Sequence, residues 1–187
     1  MPADRPHTGP KRNDQTRRAI LAATQRLLRE DGYPALSIGA IARAAGVGRQ
    51  TIYRWWPSKA DVVLEALVEW GAEQVAIPVD GPLEDRLRAF LRDTFRGASD
   101  PDAAAFLKAL AAESQRDPEF AERFGAFLAA RRAVLASVLE PDVAADRVPL
   151  LVDLVFGLLW YRLIVGTAPL DEAAADEVAG LLARAAG

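Results

Sequence analysis

The 187-residue chain contains no cysteine, which excludes disulfides, thiolate catalysis and cysteine-ligated zinc. It has one histidine, His7, in a leader (MPADRPHTGPKR) broken by three prolines and a glycine. That leaves no imidazole within a folded body for a Ser-His-Asp relay or a histidine metal site. A Gly-rich phosphate loop and metal-ligand spacing are also missing, so no cofactor and no metal are expected. The first thirty residues lack the apolar core of a signal peptide, which predicts a cytoplasmic protein. No repeat of 20 to 50 residues is visible, and no segment reads as a strand.

What is present is divided by charge. Residues 1–60 carry 11 lysines and arginines against 4 aspartates and glutamates, whereas residues 61–187 carry 12 against 22. A basic first third on an acidic remainder points to a polyanion met by the first third alone.

The leader through Arg12 is expected to be a mobile basic arm, with Asn13 or Asp14 capping the helix that follows. In that helix Ile20, Ala23 and Leu27 recur at spacings of three and four. Thr24 falls within the stripe, where its hydroxyl can bond back to the carbonyl of Ile20. Gly32 and Pro34 end it. Next, ALSIGAIARAAGVGRQTIYRWW reads as two short helices around a turn at Gly46. Ser37 caps the first, with Ile38, Ile41, Ala42 and Ala45 inward. The second turns Val47, Ile52 and Trp56 inward and Arg49, Gln50, Thr51, Tyr53 and Arg54 outward. Such outward side chains suit base edges and phosphates better than a core, so the pair reads as a DNA-binding helix-turn-helix. Ser58-Lys59-Ala60-Asp61 has the form of a capping box, starting a helix toward Val75 with a domain joint near residues 57–60. Asp100-Pro101 and Asp117-Pro118 each pair an N-cap with proline at the first helical position. Further helices are expected near 82–97, 101–115, 118–139, 146–166 and 170–185.

With GVGRQTIYRWWPSKADVV at its centre, the stretch from about residue 14 to 62 resembles the TetR family of bacterial transcriptional regulators. The shared features are a helix ending at Gly32, Ser37 opening the next, a turn at Ala45-Gly46-Val47, then Thr51-Ile52-Tyr53 and Pro57-Ser58-Lys59. The body resembles the family in helix pattern and length, and WYRLIVGTAPLD looks like one subgroup's C-terminal signature. The resemblance implies that Arg49 and Gln50 read bases, that Thr51 and Tyr53 meet phosphate or a thymine methyl, and that Lys59 and Ser37 hold phosphates. It also places Trp55 toward the DNA backbone and Trp56 inward. Position 48 is glycine where many members carry a capping serine, so Gly48 is not taken as a contact.

The stretch PLLVDLVFGLLWYRLIVG, residues 149–166, is apolar nearly all round. It reaches the roughly 18 to 20 residues of a membrane span only by including Asp153, Arg162 and a proline, so no membrane partner is expected. A helix apolar on every side must be covered on every side, by its own domain or by a second copy of the chain. Leu151, Val155, Leu158, Leu159 and Leu181 are the candidate dimer contacts, with Gly157 and Gly180 permitting close approach. Trp70, Phe95, Phe106, Phe124, Phe127 and Trp160 are candidates to line a pocket for a small apolar effector, although aromatics at helical spacing also form ordinary cores.

The expected architecture is all-α. Residues 1–12 form a disordered arm, 13–58 a three-helix helix-turn-helix domain, and 59–187 a larger helical ligand-binding and dimerisation domain. The expected function is a homodimeric repressor released from a palindromic operator by a small molecule. A ligand-independent regulator or architectural DNA-binding protein is the alternative. Glu113, Glu119 and Glu122 have no histidine, cysteine or metal spacing beside them, so an enzyme is not expected.

Overall fold

A computed structural model describes residues 10–72 and 80–186. Among these residues there are nine α-helices and no strand. The chain divides into two compact units, Met1–Leu67 and Val68–Gly187.

The first unit holds α1 (Pro10–Ala35), α2 (Ile38–Ala45), α3 (Arg49–Tyr53) and most of α4 (Lys59–Ala72). Of the expected basic arm, residues 1–9 lie outside the described residues, and Pro10–Arg12 are helical. The helix therefore starts earlier than a cap at Asn13 or Asp14 would place it. Pro10 opens it, because proline at a first helical position lacks only an amide that has no partner there. Gly32, at φ 75°, breaks the helical path as its lack of a Cβ allows. Ile20, Leu21, Ala23 and Leu28 are buried, and the Thr24 hydroxyl donates to the Ile20 carbonyl at 2.8 Å.

Ser37 caps α2 by accepting from the Ala40 amide at 3.2 Å. Gly46, at φ 67°, ends it in the left-handed region. The capping box at α4 is complete: the Ser58 amide and hydroxyl donate to Asp61 Oδ2 at 3.0 and 2.8 Å, and the Asp61 amide donates back to Ser58 Oγ at 3.3 Å. Division of the chain after Leu67, rather than near residues 57–60, has a physical reason. Ala60, Val62, Val63 and Ala66 are buried, Gln25 Nε2 donates to the Ala66 carbonyl at 3.0 Å, and Glu65 accepts from both Arg17 and Trp56. The first turns of α4 thus complete the core of the first unit.

The second unit contains the end of α4 with α5 (Leu83–Ser99), α6 (Pro101–Ser114), α7 (Pro118–Leu139), α8 (Val148–Val165) and α9 (Glu172–Ala186). Asp100 and Asp117 cap α6 and α7, each accepting from two amides of the first turn. Helix α5 is central, packing on α6, α7, α8 and α9. Its seam with α9 is pinned by Arg92, whose Nε and Nη2 grip the two oxygens of Asp176 at 2.7 and 2.6 Å. This bond holds the Asp176 carboxyl below its ordinary pKa. On the inner side of α5, Arg86 is buried and paired with Asp142 in the loop after α7, while its Nε has no hydrogen-bond partner among the described residues.

Helix α8 is long and apolar enough to cross a membrane, yet it is not apolar surface all round. Leu151, Val155 and Leu159 are buried in the core of their own unit, which corrects their assignment to a dimer interface. Leu158 is half-buried. The outward stripe is instead Leu150, Leu154, Tyr161, Ile164 and Val165, every one more than half exposed, with the exposed Gly157 between them. Leu181 on α9, the remaining candidate dimer contact, is exposed. Gly180 is buried and its nearest neighbours include Glu84 on α5, so its closeness serves the unit's own packing.

Removing one partner of a buried ion pair strands the other. Asp142→Asn should therefore destabilise the protein by about 1–3 kcal/mol, discounted from the fully buried case because Asp142 is half exposed. Asp153→Asn, which frees the more exposed Arg132, should cost about 1 kcal/mol or less. Urea unfolding followed by circular dichroism compares the two, and equal losses would contradict the burial argument.

Candidate nucleic-acid interface

Two short helices and a tight turn place the predicted contact residues. Val47 N donates to the Ala42 carbonyl at 3.0 Å across the Gly46 turn, which fixes the entry to α3. Gly48 caps α3 in an extended conformation without a side-chain bond. Inside α3 and just after it, Ile52 is fully buried and Trp56 is 2% exposed. Arg49, Gln50, Tyr53 and Arg54 are exposed and Thr51 is half-buried. The outward set expected from the sequence thus occupies one continuous surface of α3. Ser37 is exposed at the start of α2, with its hydroxyl already accepting from Ala40.

The two tryptophans differ as the sequence predicts. Trp56 Nε1 donates to Glu65 on α4, so its polar edge is satisfied inside the unit. Trp55 stays half-exposed, meeting Trp56 edge-on at 5.4 Å between ring centroids and carrying the Arg54 guanidinium over its face at 5.1 Å.

Two cations have partners that the sequence could not announce. Lys59 Nζ lies 4.0 Å from the centre of the Tyr33 ring and donates to the Tyr33 carbonyl at 3.1 Å. Arg54 donates to Asn13 Oδ1 at 3.3 Å. These contacts fix where each charge sits beside α3. Arg49, in contrast, has neither an ion pair nor a hydrogen bond among the described residues.

In the second unit, Phe124 links three of the expected pocket aromatics. It stacks on Phe127 at 6.1 Å and meets Trp160 edge-on at 6.1 Å, with Phe120 stacked beyond it at 6.0 Å. Phe106 is buried on α6 and Phe95 lies within the α5 core; the Trp70 side chain lies outside the described residues. A groove of about 530 Å3 runs between α7 and the start of α8, lined by Arg132, Ala136, Glu140, Val143, Val148 and Val152 among others. None of the expected pocket residues lines it. Arg131, absent from the residues expected from sequence, continues the Phe124 and Phe127 stripe along α7. Burial pushes its pKa down, and among the described residues it has no acidic partner. Its signal was a lone cation at an apolar stripe position.

Because the adjacent tryptophans have opposite surroundings, their alanine variants should separate. Trp56→Ala should cost about 3–5 kcal/mol of stability, as for other buried aromatics. Trp55→Ala should cost about 1 kcal/mol or less and weaken DNA binding in a protein that remains folded. Chemical denaturation and DNA titration of both variants check this; a large stability loss for Trp55→Ala would place it in the core.

Comparison with known proteins agrees with this geometry. Residues 20–66 match the family described as bacterial regulatory proteins, tetR family, and residues 77–182 match the tetracyclin repressor-like C-terminal domain. An uncharacterised HTH-type transcriptional regulator of Mycobacterium tuberculosis (strain ATCC 25618 / H37Rv) is 34% identical over 175 residues, covering 89% of this chain and 85% of the relative. The HTH-type transcriptional repressor LfrR of Mycolicibacterium smegmatis is 40% identical over 81 residues, covering 40% of this chain and 41% of its own. Among solved structures, the TetR family transcription regulator SCO0332 superposes with a TM-score of 0.80 at 28% identity, covering 91% of this chain and 97% of that one. The helix-turn-helix geometry, the helical second unit and these matches have one reading: the chain belongs to the TetR family of DNA-binding transcriptional regulators and is not an enzyme.

Proposed function

We propose that the protein is a homodimeric, cytoplasmic repressor that binds a near-palindromic operator and is released from it by a small, largely apolar molecule. The observation that carries the DNA part is the outward surface of α3, where Arg49 and Gln50 stand exposed at the helix start. Arginine suits guanine O6 and N7, and glutamine suits adenine N6 and N7. Thr51, Tyr53, Arg54, Trp55, Lys59 and Ser37 serve the phosphate backbone and thymine methyls around them. The repressor reading is supported by LfrR, which is named as a repressor.

The dimer reading rests on the outer stripe of α8. Positions 150, 154, 157, 161 and 164 recur at spacings of three and four and form an uninterrupted apolar line, the kind of exposed patch that marks an interface. Two copies related by a two-fold axis then present two recognition helices to half-sites one helical turn, about 34–36 Å, apart. A glutamate at Leu154 or Ile164 adds a charge to this face while leaving the monomer core untouched. Either variant should sediment as a folded monomer with unchanged helicity and lose affinity for the full operator. A monomeric wild-type protein at micromolar concentration would overturn the dimer.

The ligand reading rests on the aromatic group of Phe120, Phe124, Phe127 and Trp160. Helix α4 begins in the first unit and its last residues fall in the second, so a ligand that shifts Leu67 or Val68 moves the same helix that carries Lys59. Coupling of this kind is typically about 1–3 kcal/mol and is reciprocal. An apolar compound found by thermal shift should bind more weakly, by the same factor, when operator DNA is present. A compound whose affinity ignores the operator would remove the switch from the proposal.

A further inference from the structure

The Arg49 side chain is exposed and has no ion pair among the described residues, yet it is not free in space. A Cβ built on Gly39, in the first turn of α2, would stand 2.9 Å from Arg49 Nη2 and 3.3 Å from both Cζ and Nε. All three nearest atoms belong to the guanidinium, so this end of Arg49 lies directly against the Gly39 backbone. Gly39 has ordinary helical geometry, since its φ is not positive. The backbone therefore does not require glycine here, and alanine is the better helix former. What a larger residue would displace is the end of one flexible side chain.

We infer that Gly39 is a specificity-determining positioning residue: by lacking a Cβ it seats the Arg49 guanidinium against α2 and aims it at DNA without occupying any of its donors. A carboxylate could hold an arginine as firmly, but it would consume the two parallel N–H groups that bidentate recognition of guanine uses. A steric seat is not itself a hydrogen bond, so it does not use up the donors as a carboxylate would. It also removes part of the rotamer freedom that a long exposed side chain otherwise loses on binding. Lys59 and Arg54, assigned to phosphate, illustrate the contrast. They are anchored by hydrogen bonds and aromatic faces, which fix a charge but take up donors.

The inference rests on the assignment of Arg49 to base reading, and the test separates the two. Duplexes selected from random sequence by the wild-type protein supply the operator and a panel of single base-pair variants. Arg49→Ala should relax the preference at one base pair per half-site, with a loss of about 5- to 140-fold, equivalent to the roughly 1–3 kcal/mol of one bidentate contact. Gly39→Ala should relax the preference at that same base pair by a smaller factor, about three- to tenfold. Gly39→Ser, which adds the same Cβ, should do likewise. In the Arg49→Ala background the Gly39 substitution should have no further effect, because the group it displaces is gone. The free Gly39→Ala protein should melt at or above the wild-type temperature. If Arg49→Ala leaves base preference intact, both the base-reading assignment and the seat fall. If Arg49→Ala relaxes the preference but Gly39→Ala keeps it sharp, only the seat falls. A Gly39→Ala protein that melts lower and loses affinity equally on every sequence would show a merely structural glycine, and would also overturn the inference.

Discussion

Everything the first unit offers to DNA depends on holding a five-residue helix in place. A helix of one and a half turns has almost no stability of its own, because the cost of nucleation is not recovered over so few hydrogen bonds. Helix α3 persists because Ile52 is fully buried and Trp56, just past its end, is buried to within 2%. The start is set by the Gly46 turn and the extended Gly48. Outward side chains on such a segment are placed by its inward ones. A short helix also exposes most of its length, so the fraction of residues free to touch a partner is high.

The second requirement is a fixed relation between this helix and α4. Glu65 meets it by accepting from Trp56, next to the recognition helix, and from Arg17 on α1. Gln25 adds a bond to the Ala66 carbonyl, and Lys59 ties the start of α4 to Tyr33 at the end of α1. A carboxylate bonded to both an indole and a guanidinium is well satisfied even when partly buried. These bonds make the opening turns of α4 part of the DNA-binding unit. A displacement of α4 is then a displacement of a tied body rather than of one loose helix.

Features encoded by neighbours in sequence were legible in advance. Ser37, the Ser58 and Asp61 box, Asp100-Pro101 and Asp117-Pro118 all act through groups within four residues, and the helix starts fall where they indicate. Pro10 escaped because the same residue that marks a leader can also open a helix. The inward and outward residues of α3 were legible from chemistry, since polar tips and apolar bodies separate clearly. Helix α8 was not, because periodicity carries no facing information when both faces are apolar. Leu151 and Leu150 look alike in sequence, and only packing assigns one to the core and the other to the surface. The partners of Arg54 and Lys59 lie 41 and 26 residues away, a distance over which sequence pattern gives no pairing.

The charge asymmetry acquires a physical meaning once partners are assigned. In the second unit Arg86, Arg88, Arg92, Arg96 and Arg132, five of its twelve lysines and arginines, each meet a carboxylate within an acidic body. In the first unit Arg18, Arg26, Arg29, Arg43 and Arg49 meet none among the described residues. Unpaired cations attract any polyanion and raise encounter rates, but this attraction does not depend on sequence. Discrimination requires a donor pair held in a defined place and still unused when DNA arrives. Most ways of holding an arginine use its donors, and most ways of leaving them unused leave the side chain loose. Packing against a residue without a side chain satisfies both demands, and the proposed role of Gly39 beside Arg49 is an arrangement of this kind.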